Sequence, residues 1–401
     1  MLRLAFGRQP SQPMANLRLL TLLILAVAAA LRSEIFFYLL YVLVGLQLAS
    51  WAWVRLASRS LRWSRRLPAA AFPGEPVEVT LLVRNEGLLP IPWLALHESL
   101  PPALRTPPSV RHVLALGARE ERAFAYTLQS RRRGLYEVGP LLLRTGDALG
   151  LHERPLAGGA TDQLVVYPQV LPLAELGLPA ALPFGARPAP GSLFTDPARP
   201  LGVRPYQPGD GVRRVDWKST ARAGALQVRR HEPAIARETL VALAFSRAEY
   251  PGRFLFDELE RAVVAAASIA ADLAGRGQPV GLCTTGHDPL GPGPAATVMP
   301  AAGRPHLMLI LRLLGRLEAP PAGDIAAALD RAAAGVGWGS TVVLVAAGGG
   351  PALVERLLPL RRRGLHLALV LVEGTADDIA LAHRHHIACY LVDRAGTPTP
   401  A

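Results

Sequence analysis

Lysine is all but missing from this 401-residue chain: of 43 basic side chains, Lys218 alone is not an arginine. Cysteine is nearly as scarce, with only Cys283 and Cys389, both in apolar segments. That excludes a disulfide-stapled secreted scaffold and leaves two buried free thiols as the expectation. No recognition motif for nucleic acid accompanies the basic charge, so the arginines need a partner other than DNA or RNA. A Ser/His/Asp arrangement is absent, and so is a phosphate-binding loop. Gly348-Gly349-Gly350-Pro351 opens a helix but lacks the Lys-Ser/Thr that would hold a phosphate, and reads as a plain helix start. His383, His385 and His386 sit together at a helix end, with spacing that suits a solvated patch better than a metal site. No catalytic residue, metal or cofactor is expected from these patterns, and the chain does not read as an enzyme.

What is abundant is apolar. Half the residues are hydrophobic, the formal charge is +12, and the two longest uncharged apolar stretches fall within the first 54 residues. Ile35 to Val54 carries no charge, and at about 1.5 Å per residue it spans roughly 30 Å, the thickness of a bilayer core. Trp51, Trp53 and Trp63 lie near its C-terminal end, as interfacial aromatics do. Arg55, Arg59, Arg62, Arg65 and Arg66 follow before the next acid, Glu75, which assigns that end to the cytoplasm. Arg55, Arg59, Arg62 and Arg66 also fall at helical spacing, so the helix is expected to continue with a basic stripe against lipid headgroups. The earlier run, Leu19 to Leu31, is shorter and gains Leu17 if Arg18 snorkels. With only Arg32-Ser33-Glu34 between the runs, the expectation is a hairpin, helices about 17–31 and 35–54, with residues 17–66 meeting lipid. The alternative is a signal peptide, with Arg3 and Arg8 ahead of a short apolar core and Ala28-Ala29-Ala30 as the cleavage site. The hairpin predicts a multi-pass inner-membrane protein with its N-terminus and C-terminal domains in the cytoplasm.

Beyond the anchor, assigned to residues 1–66, the pattern is strand-like through residues 67–172. Val77, Val79, Leu81 and Val83 alternate with other residues, Asn85-Glu86-Gly87 marks a turn, and Gly134 and Gly139-Pro140 punctuate later runs. This predicts an antiparallel β-sandwich. Residues 173–203, rich in Pro, Ala and Gly, read as a linker. In 239–396, short apolar runs such as Leu240 to Phe245, Val280 to Thr284 and Thr341 to Ala346 alternate with helical stretches, predicting an α/β domain with a largely parallel sheet.

Between linker and α/β domain, residues 204–238 hold a dense, mixed-charge segment: Arg204, Tyr206, Gly209-Asp210, Arg213, Asp216-Trp217-Lys218 and Ala221-Arg222. Asp216 is placed to cap a short helix, Trp217 to Ala223, that Gly224 would end. Lys218 and Arg222 would share a face of it. The segment resembles the family catalogued as domain of unknown function 58. So does an upstream set, Arg133-Gly134-Leu135-Tyr136, Gly139-Pro140, Thr145-Gly146-Asp147 and Gly150-Leu151. The resemblance implies a bacterial or archaeal membrane protein, often encoded beside a MoxR-type AAA+ ATPase, with an α/β part similar to a von Willebrand factor A domain. No enzymatic activity is established for that family.

The bland role for the motif is an ion-pair network, in which Asp210 and Asp216 meet Arg204, Arg213 and Arg222 to pin the linker to the α/β domain. The alternatives are a partner-binding surface, or acid and base chemistry at Asp210 and Asp216 with Lys218. A von Willebrand A domain holds Mg²⁺ through an Asp-x-Ser-x-Ser loop. The matching positions here are Ala244, Ser246 and Ala248, so the carboxylate is gone and a metal site is not expected. The resulting expectation is a membrane-anchored scaffold or adaptor for a protein partner, a MoxR-type ATPase, in assembly or envelope stress. An unrecognised enzyme and a metal-dependent adhesion-like binder are the alternatives.

Overall fold

The computed structural model describes residues 12–31, 34–104, 110–156, 158–159, 161–179, 195–207, 215–233, 238–250, 254–291, 293 and 296–392. The chain divides into two compact units, Met1–Tyr167 and Pro168–Ala401.

The first unit begins with helices α1 (Gln12–Leu31) and α2 (Glu34–Ala57). They touch, and Gln47 Nε2 donates to Thr21 Oγ1 at 2.8 Å. Among the described residues only Glu34–Ser60, α2 with the short turn after it, is long and apolar enough to cross a membrane. The expected pair of spanning helices therefore reduces to one apolar N-terminal helix, with the composition of an anchor or of a signal sequence.

The C-terminal end of α2 departs from the sequence reading. Ser50, Val54 and Ala57 are buried. Ser50 Oγ lies 3.1 Å from His152 Nδ1, and Trp53 Nε1 donates to the Pro90 carbonyl at 3.1 Å. One face of the last two turns of α2 thus packs on protein, while Trp51 and Leu56 stay exposed. The helix then stops. Ser58 and Ser60 turn their hydroxyls back onto the carbonyls of Arg55 and Ala57, and such local bonds compete with helix continuation. Of the four arginines expected as a helical stripe, Arg55 stays on α2 and Arg59 falls in the turn after it, while Arg62 and Arg66 lie on strand β1 (Leu61–Arg66), whose residues alternate in burial.

After β1 come β2 (Ala70–Ala71), β3 (Pro76–Asn85), β4 (Ile91–Glu98), β5 (Val110–Leu116), β6 (Glu121–Gln129), β7 (Gly134–Val138), β8 (Leu141–Gly146), β9 (Glu153–Leu156) and β10 (Asp162–Val166). They form three small sheets, in orders β1-β3-β6, β5-β4-β8-β9 and β2-β10-β7, antiparallel except where β10 meets β2. The alternation in β3 does what period-two patterning requires: Val77, Val79, Leu81 and Val83 are all buried. Leu81 and Val83 share a core with Ile91, Leu94 and Leu143 of the β4 sheet. Val77 and Val79 pack with Leu128, Val138 and Leu164.

The side chain of Arg65 on β1 is wholly buried and paired with the equally buried side chain of Glu98 on β4. Its guanidinium also donates to Asp162 Oδ2 at 2.6 Å and to the Val138 carbonyl at 3.0 Å. An arginine expected at the lipid headgroups has a core side chain that ties four strands together, β1, β4, β7 and β10.

The second unit contributes β11 (Thr195–Pro205), α3 (Trp217–Ala223) and β12 (Gln227–Pro233), then β13 (Thr239–Leu243), α4 (Leu255–Gly275), β14 (Val280–Thr284), β15 (Ala296–Ala301), α5 (Arg304–Arg316), α6 (Ile325–Ala333), β16 (Thr341–Ala346), α7 (Pro351–Arg362), β17 (His366–Leu371), α8 (Ala376–Arg384) and β18 (Ala388–Leu391). β11 and β12 form an antiparallel ribbon, so Thr195 to Val203 is strand where a linker was expected. The linker's start is also structured: Leu173–Leu176 forms a short 3-10 turn that Gly177 closes at φ +72. The main sheet has the order β15-β14-β13-β16-β17-β18, parallel except for β15 at its edge. That edge strand was not anticipated. It contains Pro300, which reads as a breaker yet is tolerated where one side of a strand needs no hydrogen bonds. β13, fully buried, is central. The chain builds outward from it on one side through β14 and on the other through β16.

Candidate functional site

Two places in the second unit concentrate the predicted residues. One is the ribbon with α3. Gly209, Asp210 and Arg213 lie outside the described residues. Around them the backbone is defined: Val215 bridges Val228, and the Asp216 amide donates to the Gln227 carbonyl at 2.8 Å. Asp216 caps α3 as its position required, with Oδ1 accepting the amides of Lys218 and Ser219. Gly224 closes the helix with φ +66. Arg204 is on β11, and Arg204 Nη1 donates to the Pro205 carbonyl at 3.1 Å. Tyr206, Trp217, Lys218 and Arg222 are exposed, Trp217 by 64%.

The other place is the carboxyl edge of the main sheet beside β13, where the strand order reverses and open α/β sheets form their ligand crevice. Here lie the degenerate loop positions. Ala244 and Ser246 are buried and Ala248 is exposed. The Ala244 carbonyl accepts from Tyr250 Oη at 2.9 Å. The carboxylate absent from the loop's first position is supplied from within the same loop by Glu249. Its Oε2 accepts from the Ser246 amide at 2.9 Å, Ser246 Oγ at 2.7 Å and Thr285 Oγ1 at 3.1 Å. Thr285 Oγ1 in turn accepts from the Phe245 amide at 2.7 Å. Gly323 closes over the pair; a Cβ there would stand 2.7 Å from Thr285 Cβ. Next to it Asp324 caps α6 and accepts from Arg356 at 2.9 Å.

These groups are satisfied by one another. Both hydroxyls direct their protons at Glu249, and Asp324 faces a guanidinium, so in this arrangement they do not present the oxygen set a hard dication needs. Among the described residues no three of His, Cys, Asp and Glu come together as a ligand group. Burial counts most against the charge of Asp324, but the α6 amides and Arg356 outweigh it and hold its carboxyl below the ordinary range. Glu249 goes the other way. Burial raises its carboxyl most, Asp324 adds to the rise, and the bonds from Ser246 and Thr285 do not cancel it.

The folded protein therefore holds the Glu249 proton more tightly than the unfolded chain does. Its contribution to stability is most favourable below the ordinary value of 4.5 and declines as pH rises from there through the raised value. Glu249→Gln should remove this slope while keeping an acceptor for Ser246. Melting temperatures of both proteins between pH 4 and 7 check it, and parallel curves would refute the assignment.

Sequence reasoning missed Glu249, Thr285, Asp324 and Arg356. For Glu249 a signal existed, since Ser246-x-x-Glu249 is a capping-box pattern. A third feature, a concavity of about 610 Å³ lined by Gly177, Glu373, Thr375 and Leu391 among others, opens at the far end of the same edge. Cys283 and Cys389 are free thiols.

Residues 202–366 match the family described as "Protein of unknown function DUF58". The chain is similar to the uncharacterized protein YeaD of Bacillus subtilis, 24% identical over 243 residues that make up 57% of each chain. It is also similar to the uncharacterized protein Rv1480 of Mycobacterium tuberculosis, 35% identical over 150 residues, 36% of this chain and 44% of that one. The chain thus spans about half the length of the curated relatives it matches. Among solved structures, the CARDB domain of a Pyrococcus furiosus protein aligns at 17% identity and TM-score 0.21, covering 26% of this chain and 91% of that domain. A beta-glucosidase from Listeria innocua aligns at 15% identity and TM-score 0.19, covering 28% of this chain and 16% of the enzyme.

Proposed function

Starting from a DUF58 domain over residues 202–366, we propose that the chain is a membrane-anchored scaffold or adaptor that binds a protein partner, a MoxR-type AAA+ ATPase, in assembly or envelope stress. The observation that carries this reading is the occupied carboxyl edge: Glu249 and Asp324 are engaged by neighbouring donors. Acids so engaged shape a surface rather than stand ready as acid or base. Phe254 and Phe256, where α4 begins, are exposed and offer apolar area to a partner.

The finer architecture follows the same reading. α1 and α2 form a hairpin that spans twice and leaves the N-terminus, the small sheets and the second unit in the cytoplasm. Their mutual contact supports this, as do Arg55, Arg59, Arg62 and Arg66 after the apolar run. The small sheets form a β-sandwich, supported by the core that β3 shares with the β4 sheet. The main sheet is von Willebrand factor A-like, supported by its strand order and lone antiparallel edge.

Co-purification in mild detergent with a MoxR-type ATPase of the same organism, with and without ATP, tests the proposal. Capture in at least one nucleotide state is expected, weakened in the Phe254→Ser/Phe256→Ser variant. No capture in either state would overturn it.

A further inference from the structure

The ribbon and α3 remain unused by that reading, and their composition is unusual. α3 is a seven-residue helix that buries none of its residues. It folds back on one end of the ribbon, where Thr220 Oγ1 accepts the Gln227 amide at 3.0 Å. At that same end the Tyr206 amide donates to the Leu226 carbonyl at 2.9 Å, and both residues are exposed. Trp217 stands at the first position of α3, and Lys218 and Arg222 follow one turn apart, all exposed. From residue 195 to 233 there are eight Arg or Lys against four Asp or Glu. Only Val215 and Val228 are buried among the ribbon's described side chains, a small core for two strands and a short helix in water.

Exposed Trp and Tyr beside Lys and Arg is the chemistry of a headgroup interface: the rings sit at the boundary and the cations meet phosphates. The same chain carries an apolar helix long enough to cross a bilayer. We infer that this end of the ribbon, with Tyr206, Trp217, Lys218, Arg222 and Leu226, seats on the anionic headgroup surface of the membrane that α2 enters. The second unit then has a lipid contact of its own. The inference rests on the anchor reading of α2 and is independent of the ATPase. An acidic protein segment is the rival occupant. The two exposed aromatics and the apolar helix favour lipid.

The scarcity of lysine makes the test clean, because a lysine-specific endoproteinase has one cleavage site in the whole chain, after Lys218 in α3. The full chain is placed in nanodiscs of phosphatidylcholine alone or with phosphatidylglycerol. Cleavage should be about tenfold slower in the anionic discs, the protection expected of a few cations held at a charged surface. Trp217→Ser and Arg222→Glu should each restore the faster rate with an unchanged circular dichroism spectrum. Arg363→Lys adds a reference site on exposed surface, and its cleavage should not depend on lipid charge. Equal rates after Lys218 in both discs would overturn the inference. So would protection that depends on added polyglutamate and not on lipid. A chain that fails to migrate with either disc would instead sink the anchor reading, and the inference with it.

Discussion

Arg65→Met should destabilise the first unit by about 3–5 kcal/mol, the penalty for stranding one member of a buried ion pair. Arg65 and Glu98 both have fully buried side chains, so water cannot replace the lost guanidinium. Burial already pushes the Glu98 carboxyl up, and Arg65 is the main group pulling it back. Without Arg65 the Glu98 value rises further. The variant's deficit should therefore grow with pH, because above that value the folded state must either ionise a lone buried carboxylate or hold a proton against solvent. Arg65→Met/Glu98→Leu should recover most of the loss, since a well-packed apolar pair often equals a buried ion pair. Thermal unfolding in detergent at pH 5 and pH 8 measures all of this. A single variant within about 1 kcal/mol of the wild type, the range of an exposed pair, would show that Arg65 is not the core residue described above.

A chain that begins at Ser50 should be more stable than one that begins at Arg59, by about 3–5 kcal/mol from one buried valine and three hydrogen bonds, the third being the one Arg154 donates to Ser58 Oγ. Hydropathy alone predicts no difference, because it assigns Ser50 to Val54 to lipid. The structure buries Val54 and Ala57 and bonds Ser50 to His152 and Trp53 to Pro90. Both shortened chains lack most of the apolar run, so their melting curves can be compared in aqueous buffer. Superimposable curves would mean that the last turns of α2 contribute nothing to the sheets.

What was legible in the sequence depended on how local the cause is. The cap at Asp216 and the stop at Gly224 follow from rules that act within a few residues, and both were foreseeable. The central strands and helices of the second unit were also legible, because a strand buried on both faces must be continuously apolar. β15 was not, since an edge strand with a proline shows neither alternation nor a long run. The end of α2 failed for a different reason: apolar side chains look alike whether they face lipid or protein. Arg65 failed because its meaning is set by Glu98, 33 residues away. In the carboxyl-edge site, the missing aspartate at Ala244 was visible. That a glutamate five residues later folds back to hold Ser246 and Thr285 was not.

The junction after Ser50 has a mechanical side. Hydrogen bonds at Ser50 and Trp53, and one that Arg154 donates to Ser58 Oγ, clamp the end of α2 to strands and loops of the first unit. No swivel separates helix from sheets. A piston shift or an axial rotation of α2 would arrive at those strands as a force or a torque rather than dissipate in a flexible joint.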